Sequence, residues 1–499
     1  MPAVFASILK HGFRALGYAI LGALLVLLAL LLRYLFAGPP LPAWNDQALA
    51  EEFTAARAGE VRTLDDYRAL EARLFAERDA MVRAALEPAD RRPFNRFNPG
   101  SLSDPARWDR DWNRTFELKP AAPIGGALLM HGLTDSPYAM RAMAELLYSR
   151  GYDVVALRLP GHGVAPVGLR DYRVEDFKAA VRLAARDLAG RLAPGQPLYL
   201  GGYSTGAALS IEYSLQVLEG ADLPRPAGLI LMSPAVGVSP LAIVGRMRTG
   251  LSHLPGLGKL AWQELVPEYD PFKFNSFPWN AVGEMDRLTR DLQSRIATLS
   301  RQGRLKGFPR TLAFLSTVDS TIRADAVSDL LLDRLAPEGH ELVLFDLNRR
   351  ATGALALKED PGPLTARLLA RQDLPYTLTL VRNIDANTRA VEAVRHAPGA
   401  AAPEHVPLDL EWPPMFFSLS HVAIPFAPDD PLYGYAAVDA DHIQLGRFEA
   451  RGETGVLAIP PALLLRLRSN PFFPYMAARV ADFVQTGPAA DAPAPPPAP

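Results

Sequence analysis

Residues 198–208 read Leu-Tyr-Leu-Gly-Gly-Tyr-Ser-Thr-Gly-Ala-Ala and place Ser204 in a Gly-x-Ser-x-Gly pattern. An apolar run typical of a strand comes before the serine, and small residues that can begin a helix follow it. Such a strand-to-helix turn is tight, so the positions two residues either side of the serine must lack bulk, and Gly202 and Gly206 meet this requirement. The pattern therefore predicts that Ser204 is a nucleophile exposed above a sheet.

Two turns upstream of Ser204 provide context for this five-residue pattern. Residues 126–137 read Gly-Ala-Leu-Leu-Met-His-Gly-Leu-Thr-Asp-Ser-Pro, a predicted buried strand that runs into a His-Gly turn and then into a helix. Residues 154–163 read Val-Val-Ala-Leu-Arg-Leu-Pro-Gly-His-Gly, another predicted strand with a glycine-rich turn at its end. A turn of the first kind can direct a backbone N–H at a developing oxyanion.

These three motifs together resemble those of the α/β-hydrolase family, in particular its branch of monoacylglycerol lipases, carboxylesterases and serine aminopeptidases. That branch has the His-Gly turn, the Pro-Gly-His-Gly turn and the serine elbow in this order. The resemblance implies an α/β fold with a mostly parallel sheet, flanking helices and a cap insertion. It also implies an oxyanion hole formed by the backbone N–H groups of Leu133 and Thr205. We interpret His131 and His162 as structural residues of the two turns.

The family requires an acid after a later strand. Residues 311–319 read Thr-Leu-Ala-Phe-Leu-Ser-Thr-Val-Asp, a predicted strand followed by an aspartate. The resemblance therefore assigns the triad acid to Asp319. The alternative is that Asp319 only caps the helix predicted over 324–335.

A histidine is also required, and His421, within the apolar run of residues 415–425, is our choice. In the family this histidine usually follows the next strand within a few tens of residues, whereas the strand predicted at 341–345 has no histidine soon after it. An insertion at about 348–414 must intervene, with one predicted helix and one predicted strand. The rival candidates are His396 and His405 in a Pro/Ala-rich predicted loop, and His442 after a predicted turn.

These residues predict acyl transfer. Ser204 would attack an acyl carbonyl, His421 would accept its proton, and Asp319 would orient the imidazole, giving an acyl-enzyme that water hydrolyses. We expect neither a metal nor another cofactor. The sequence has no His-Glu-x-x-His motif, and its nine histidines are scattered in a chain without cysteine.

The N-terminal region predicts a membrane anchor. Residues 15–32 are 18 consecutive uncharged, mostly aliphatic residues, and as a helix they would span about 27 Å, close to a hydrocarbon core of about 30 Å. Lys10 and Arg14 precede this run, so the N-terminus is expected in the cytoplasm and the rest of the chain outside it. A cleaved signal peptide is the alternative, although its apolar core would be shorter and the stretch near Ala37 is a poor cleavage site.

Composition limits the remaining possibilities. The chain has 499 residues, 49% of them hydrophobic, and a net charge of −2, which allows a large core but gives no general basic field for nucleic acid. Forty-five of its 52 basic residues are arginine, which is typical of a GC-rich bacterial genome. We therefore expect a single-pass protein of a bacterial inner membrane with its catalytic domain on the periplasmic side; the sequence does not indicate an oligomeric state.

The predicted organisation has four parts: an anchor at 1–37, a helical segment and linker at 38–110, a hydrolase domain at 111–485, and a disordered Pro/Ala tail at 486–499. A cap is predicted at about 241–304, where aromatic and aliphatic residues would either line an acyl pocket or form the core of the cap.

The sequence thus predicts a membrane-anchored serine hydrolase that cleaves esters of lipid-derived or other hydrophobic acyl groups. One alternative is a serine peptidase, in which Glu264 or Glu268 of the cap would hold a substrate amine. Another is a non-catalytic envelope scaffold that retains the fold.

Overall fold

The fold is taken from a computed structural model, which describes residues 2–36, 40–237, 258–350, 360–414, 416–436, 442–447 and 465–486. The predicted tail, beyond Thr486, lies outside the described residues, as do parts of the predicted cap and of the second insertion. The boundaries of the predicted domains therefore remain predictions.

A ten-stranded sheet forms the centre of the molecule, and a separate two-stranded sheet lies beside it. The strands are β1 (Phe116–Leu118), β2 (Gly125–Met130), β3 (Tyr152–Leu157), β4 (Leu198–Tyr203), β5 (Gly228–Met232), β6 (Trp262–Glu264), β7 (Phe277–Pro278), β8 (Arg310–Ser316), β9 (Glu341–Phe345), β10 (Thr377–Asn383), β11 (Ala390–His396) and β12 (Glu404–Glu411). The large sheet has the order β1-β3-β2-β4-β5-β8-β9-β10-β11-β12. It is parallel from β3 to β10 and antiparallel at both ends.

Helices cover both faces of this sheet. The described α-helices are α1 (Pro2–Phe36), α2 (Ala43–Asp46), α3 (Leu64–Ala85), α4 (Arg141–Ser149), α5 (Gly168–Asp171), α6 (Val174–Gly190), α7 (Thr205–Leu218), α8 (Trp279–Arg301), α9 (Ala324–Leu330), α10 (Gly362–Leu369) and α11 (Phe473–Gln485). Apolar residues of α6, α7 and α8 belong to the core cluster on one face, and those of α4 and α11 to the cluster on the other. The predicted mostly parallel, helix-covered sheet is confirmed.

The sequence of a central strand explains this two-sided burial. Alternate residues of β2 enter opposite clusters, with Leu128 and Met130 in one and Ala127 and Leu129 in the other. All four are fully buried. A strand that is covered on both faces needs a continuous apolar run rather than an alternating one, as β2 has.

The segment before the sheet packs onto it. Helix α3 begins at a capping box in which the Thr63 hydroxyl accepts the Asp66 N–H, and its buried Glu71 carboxylate accepts a hydrogen bond from Arg158 Nε at 2.9 Å. Residues 91–107, predicted as a linker, contain the buried Arg96, whose guanidinium donates to Asn113 Oδ1 at 3.0 Å. Both parts of the segment are therefore tied to the loops of the sheet by buried polar contacts.

The second insertion lengthens the sheet. Strand β10 pairs in parallel with β9, and β11 and β12 follow in antiparallel order. His396 and His405, which we had expected in a loop, lie on β11 and β12. The Pro/Ala-rich run between them forms only the connection between two strands. Its composition therefore does not predict the structure of the residues on either side of it.

The N-terminal helix α1 is long and apolar. Within it, residues His11–Leu30 have a mean hydropathy of 2.1, and none of this span is buried inside the protein. Length and composition are those of a helix that can cross a membrane, and a signal sequence has the same properties.

Candidate active site

Ser204 lies on a strained turn between β4 and α7. Its backbone has φ 53° and ψ −107°, a positive φ that is rare for a residue with a side chain. A Cβ added to Gly206 would lie 2.0 Å from the carbonyl oxygen of Met130, and one added to Gly202 would lie 2.3 Å from the carbonyl carbon of Gly206. Both glycines are therefore required by close approach of the backbone, as the sequence predicts.

Asp319 and His421 contact each other although 102 positions separate them in the chain. His421 Nδ1 lies 2.7 Å from Asp319 Oδ2, and the side chains are 6% and 0% exposed. The other carboxylate oxygen of Asp319 accepts the N–H groups of Thr321 and Ile322, each at 2.8 Å. These contacts fix the carboxylate and, with Nδ1 as the donor, leave Nε2 of His421 as the acceptor.

The electrostatics of this pair favour an ionised aspartate. Burial alone would raise the pKa of Asp319, but the hydrogen bond and charge of His421, together with the two backbone donors, hold it below its ordinary value. A carboxylate that stays ionised can keep the imidazole in one tautomer and stabilise the imidazolium.

Ser204 and His421 line one cavity of about 490 Å³, together with the predicted oxyanion residues Leu133 and Thr205. Among the described residues, neither the Leu133 N–H nor the Thr205 N–H has a hydrogen-bond partner in the protein. Two backbone donors without partners beside a candidate nucleophile are what an oxyanion hole requires.

The rival histidines lie elsewhere. His442 Nε2 lies 3.1 Å from the carbonyl oxygen of Arg107. His396 bonds to the carbonyl oxygen of Ala400, and His405 to Glu392. Of the four candidates, the structure brings His421 to Asp319.

Comparison with known proteins shows similarity to serine hydrolases over part of the chain. Residues 121–324 match the model of the family described as serine aminopeptidase, S33. The chain has the α/β-hydrolase fold. It is also 29% identical over 172 residues to the thermostable monoacylglycerol lipase of Bacillus sp. (strain H-257), a match that covers 34% of this chain and 64% of that lipase. The chain thus spans less than two thirds of the relative's length. The matches indicate a serine hydrolase, whose activity is proposed below.

Solved α/β-hydrolase structures are similar to part of the chain. A structure of the metagenome-derived lipolytic enzymes LipS and LipT has 23% identity and a TM-score of 0.37, over 47% of this chain and 87% of that chain. The monoacylglycerol lipase of Paleococcus ferrophilus has 20% identity and a TM-score of 0.36, over 46% and 88%.

The two turn histidines, His131 and His162, are buried and bonded to the backbone. His131 Nε2 accepts the Leu159 N–H at 3.0 Å, and its Nδ1 lies 2.8 Å from the carbonyl oxygen of Gly132. His162 Nδ1 lies 3.0 Å from the carbonyl oxygen of Pro160. Burial lowers the pKa of His131 well below its usual value and that of His162 to about 3. The hydrogen bond from Leu159 to His131 links the two turns, and burial favours the neutral form of both imidazoles.

Contacts from residues 273 and 274 hold the loop that carries Leu133. The Phe274 N–H donates to the carbonyl oxygen of Thr134 at 2.8 Å, and Lys273 Nζ lies 2.6 Å from Asp135 Oδ1. Thr134 itself has φ 68°. The predicted cap is thus joined directly to the candidate oxyanion loop.

The aromatic residues of the predicted cap divide between the cavity and the core. Phe274 and Phe277 line the cavity. Phe272 instead stacks on Tyr138 in the core, with ring centroids 4.5 Å apart. Leu254 and Leu257 lie outside the described residues. Phe274 and Phe277 therefore fit the alternative that cap residues line a pocket, and Phe272 fits the alternative that they form a core.

The two cap acids also have different environments. Glu264 lines the cavity. Glu268 is buried and accepts the N–H groups of Asn275 and Ser276 at 2.9 and 2.8 Å, and it is not part of the lining. Only Glu264 of this pair lines the cavity that Ser204 also lines.

Sequence reasoning missed several charged residues of the cavity. Lys273, Arg466 and Arg468 line it, but none belongs to a motif. They come from the predicted cap and from a segment near the C-terminus, so only the folded chain brings them to Ser204.

Proposed function

We propose that this protein is a membrane-anchored serine hydrolase that cleaves carboxylic esters of lipid-derived or other hydrophobic acyl groups. The observation that carries the proposal is the 2.7 Å contact between His421 Nδ1 and Asp319 Oδ2, in a cavity that Ser204 also lines. Nucleophile, orienting acid and base follow in the chain order Ser, Asp, His, which is the order found in α/β-hydrolases.

The proposed mechanism assigns one step to each group. His421 Nε2 takes the proton of Ser204 as its hydroxyl attacks the ester carbonyl, and Asp319 stabilises the imidazolium. The Leu133 and Thr205 N–H groups hold the oxyanion, each contributing about 3 kcal/mol to the barrier reduction. The imidazolium then protonates the leaving alcohol, and water releases the acid from the acyl-serine.

The lining of the cavity supports a hydrophobic acyl group. Phe277, Val282 and Met285 form an apolar wall, and the Sδ of Met285 lies 3.3 Å from Thr205 Oγ1, directly beside the elbow. A hydrocarbon chain that leaves the acyl carbon would lie along this wall and lose its contact with water. The curated relative, a monoacylglycerol lipase by name, supports the same class of substrate.

Peptide hydrolysis is the second candidate, because the matching family model is that of a serine aminopeptidase and Glu264 lines the cavity. We predict turnover of p-nitrophenyl esters of medium acyl length and little or no turnover of amino-acid p-nitroanilides. The reason is that the apolar wall can contact the hydrocarbon of an acyl chain. Glu264→Gln serves as the control variant, because an aminopeptidase that holds its substrate amine with Glu264 would lose activity in it. Efficient anilide cleavage that depends on Glu264 would contradict the ester assignment.

The location is proposed from helix α1. We propose that it is an uncleaved anchor in a bacterial inner membrane. The catalytic domain would lie in the periplasm, because Lys10 and Arg14 precede the uncharged run of residues 15–32.

We predict that alkaline phosphatase fused after residue 45 is active and that a reporter requiring the cytoplasm is inactive at the same position. Full-length protein should remain with membranes after alkaline carbonate washing, whereas a chain that starts near Ala43 should not. A mature N-terminus beyond residue 37, with release from the membrane, would show a cleaved signal peptide instead.

A further inference from the structure

Two arginines form part of the cavity that Ser204 and His421 line. Arg466 and Arg468 belong to the short described segment that precedes α11, far outside the region matched by the family model. Both are partly buried. Removing two guanidinium groups from water is costly unless they find an anionic partner.

Among the residues that the structure describes, the partners of Arg468 are a neutral hydroxyl and a carboxylate that does not pair with it directly. There, Arg468 Nη2 donates to the Tyr269 hydroxyl at 3.3 Å, and neither guanidinium forms an ion pair with a carboxylate. Asp270 acts on Arg468 electrostatically, but its own oxygens accept the Tyr433 hydroxyl at 2.8 and 2.7 Å. The hydrogen-bonding capacity of the two arginines is thus left largely unused by the fold.

Other charges of the lining are mostly neutralised locally. Lys273 pairs with Asp135 at 2.6 Å, and Asp286 pairs with Arg290 outside the cavity lining. Glu264 remains as a single carboxylate against the two arginines. Within the described lining, the charge on the side of Arg466 and Arg468 is therefore positive, and Asp270, which is not a lining residue, offsets part of the charge of Arg468.

The apolar and cationic sides are built from different elements. The apolar wall of Phe277, Val282 and Met285 comes from β7 and α8, whereas Arg468 contacts Tyr269 in the loop between β6 and β7. The charge of Arg466 also acts electrostatically on Tyr203, the residue before the candidate nucleophile. Burial raises the pKa of Tyr203 well above its usual value, and Arg466 acts in the opposite direction.

We infer that Arg466 and Arg468, together called the arginine wall, bind an anionic group of the ester substrate, a carboxylate or a phosphate. This inference rests on the proposed function and narrows its substrate class to esters that carry a negative charge beside a hydrocarbon chain. A planar guanidinium can donate two parallel hydrogen bonds to either anion, which gives both affinity and orientation.

Two matched pairs of esters test this inference and separate the two anions. In the first pair, p-nitrophenyl hemiglutarate carries a carboxylate on its acyl side and p-nitrophenyl pentanoate does not. In the second pair, 1-oleoylglycerol 3-phosphate carries a phosphate on its alcohol side and 1-oleoylglycerol does not. We expect the anionic member of at least one pair to have the higher kcat/KM. In Arg468→Gln that preference should fall by about 10- to 100-fold, chiefly through KM, because one charge-assisted pair of hydrogen bonds is lost.

The variants and controls keep the outcomes distinct. Arg468→Lys should retain part of the preference, and Arg301→Gln, an exposed arginine at the end of α8 outside the cavity lining, should leave it unchanged. Arg466→Gln provides a second test if Arg468→Gln does not fold, with fluorophosphonate labelling as the check of an intact site.

Equal or higher kcat/KM for the neutral member of both pairs would overturn the inference, as would a preference that survives in both Arg468→Gln and Arg466→Gln. Either result leaves the proposed function standing, because the neutral esters are still hydrolysed. Absence of both labelling and turnover of all four esters would instead remove the proposed function, and the inference with it.

Discussion

Ser204→Ala is expected to lower ester turnover by roughly 10⁴- to 10⁶-fold, the size of loss seen when a triad nucleophile is removed. The variant should remain folded, because the elbow backbone depends on the close approach at Gly202 and Gly206 and not on the hydroxyl. Steady-state hydrolysis of a p-nitrophenyl ester measures the first effect, and thermal unfolding measures the second.

Ser149→Ala is the matched control for this variant. Its hydroxyl is on the protein surface and bonds only to the nearby carbonyl oxygen of Leu146, so turnover should be that of the native protein. Retention of more than a few per cent of activity in Ser204→Ala, with the fold intact, would remove Ser204 from the mechanism.

His421→Ala is expected to have an effect of similar size, because a serine without its base is as inactive as a triad without its serine. His442→Ala should retain most of the activity, since its imidazole bonds to the carbonyl oxygen of Arg107 and packs against Trp108, with ring centroids 4.4 Å apart. Comparison of kcat/KM for the two variants on one ester measures the difference. The reverse ranking would move the base to His442.

Much of the candidate site could be predicted from local sequence, because short motifs specify its turns. The two glycines around Ser204 follow from the geometry of a tight turn, and the structure shows what a side chain at either position would strike. Asp319 was assigned through the family resemblance, as an aspartate that follows the buried strand β8.

The identity of the histidine was harder to predict. No local signal tells that residues after 348 add β10, β11 and β12 to the edge of the sheet before the chain returns to His421. Apolar alternation suggested a strand near 376–381, but pairing of that strand with β9 is a long-range choice. The surroundings of His396 and His405 were misjudged because Pro and Ala describe their connecting turn alone.

The charged lining could not be predicted at all. Arg466 and Arg468 belong to no periodic or motif-like pattern, and in sequence they resemble any solvated arginine. Their significance comes from the cavity into which the fold places them and from the lack of a salt bridge to either one among the described residues. Such residues are found by asking which partly buried charges of the folded protein lack a salt bridge, because their spacing in the sequence carries no signal.

The central claim is that Ser204 is the nucleophile of an ester-cleaving triad, and covalent labelling tests it most directly. The full-length protein is treated with a fluorophosphonate, digested, and analysed by mass spectrometry. We predict one adduct, on the peptide that contains Ser204, and no adduct in Ser204→Ala. An adduct on a different serine, or labelling that persists in Ser204→Ala, would contradict the account.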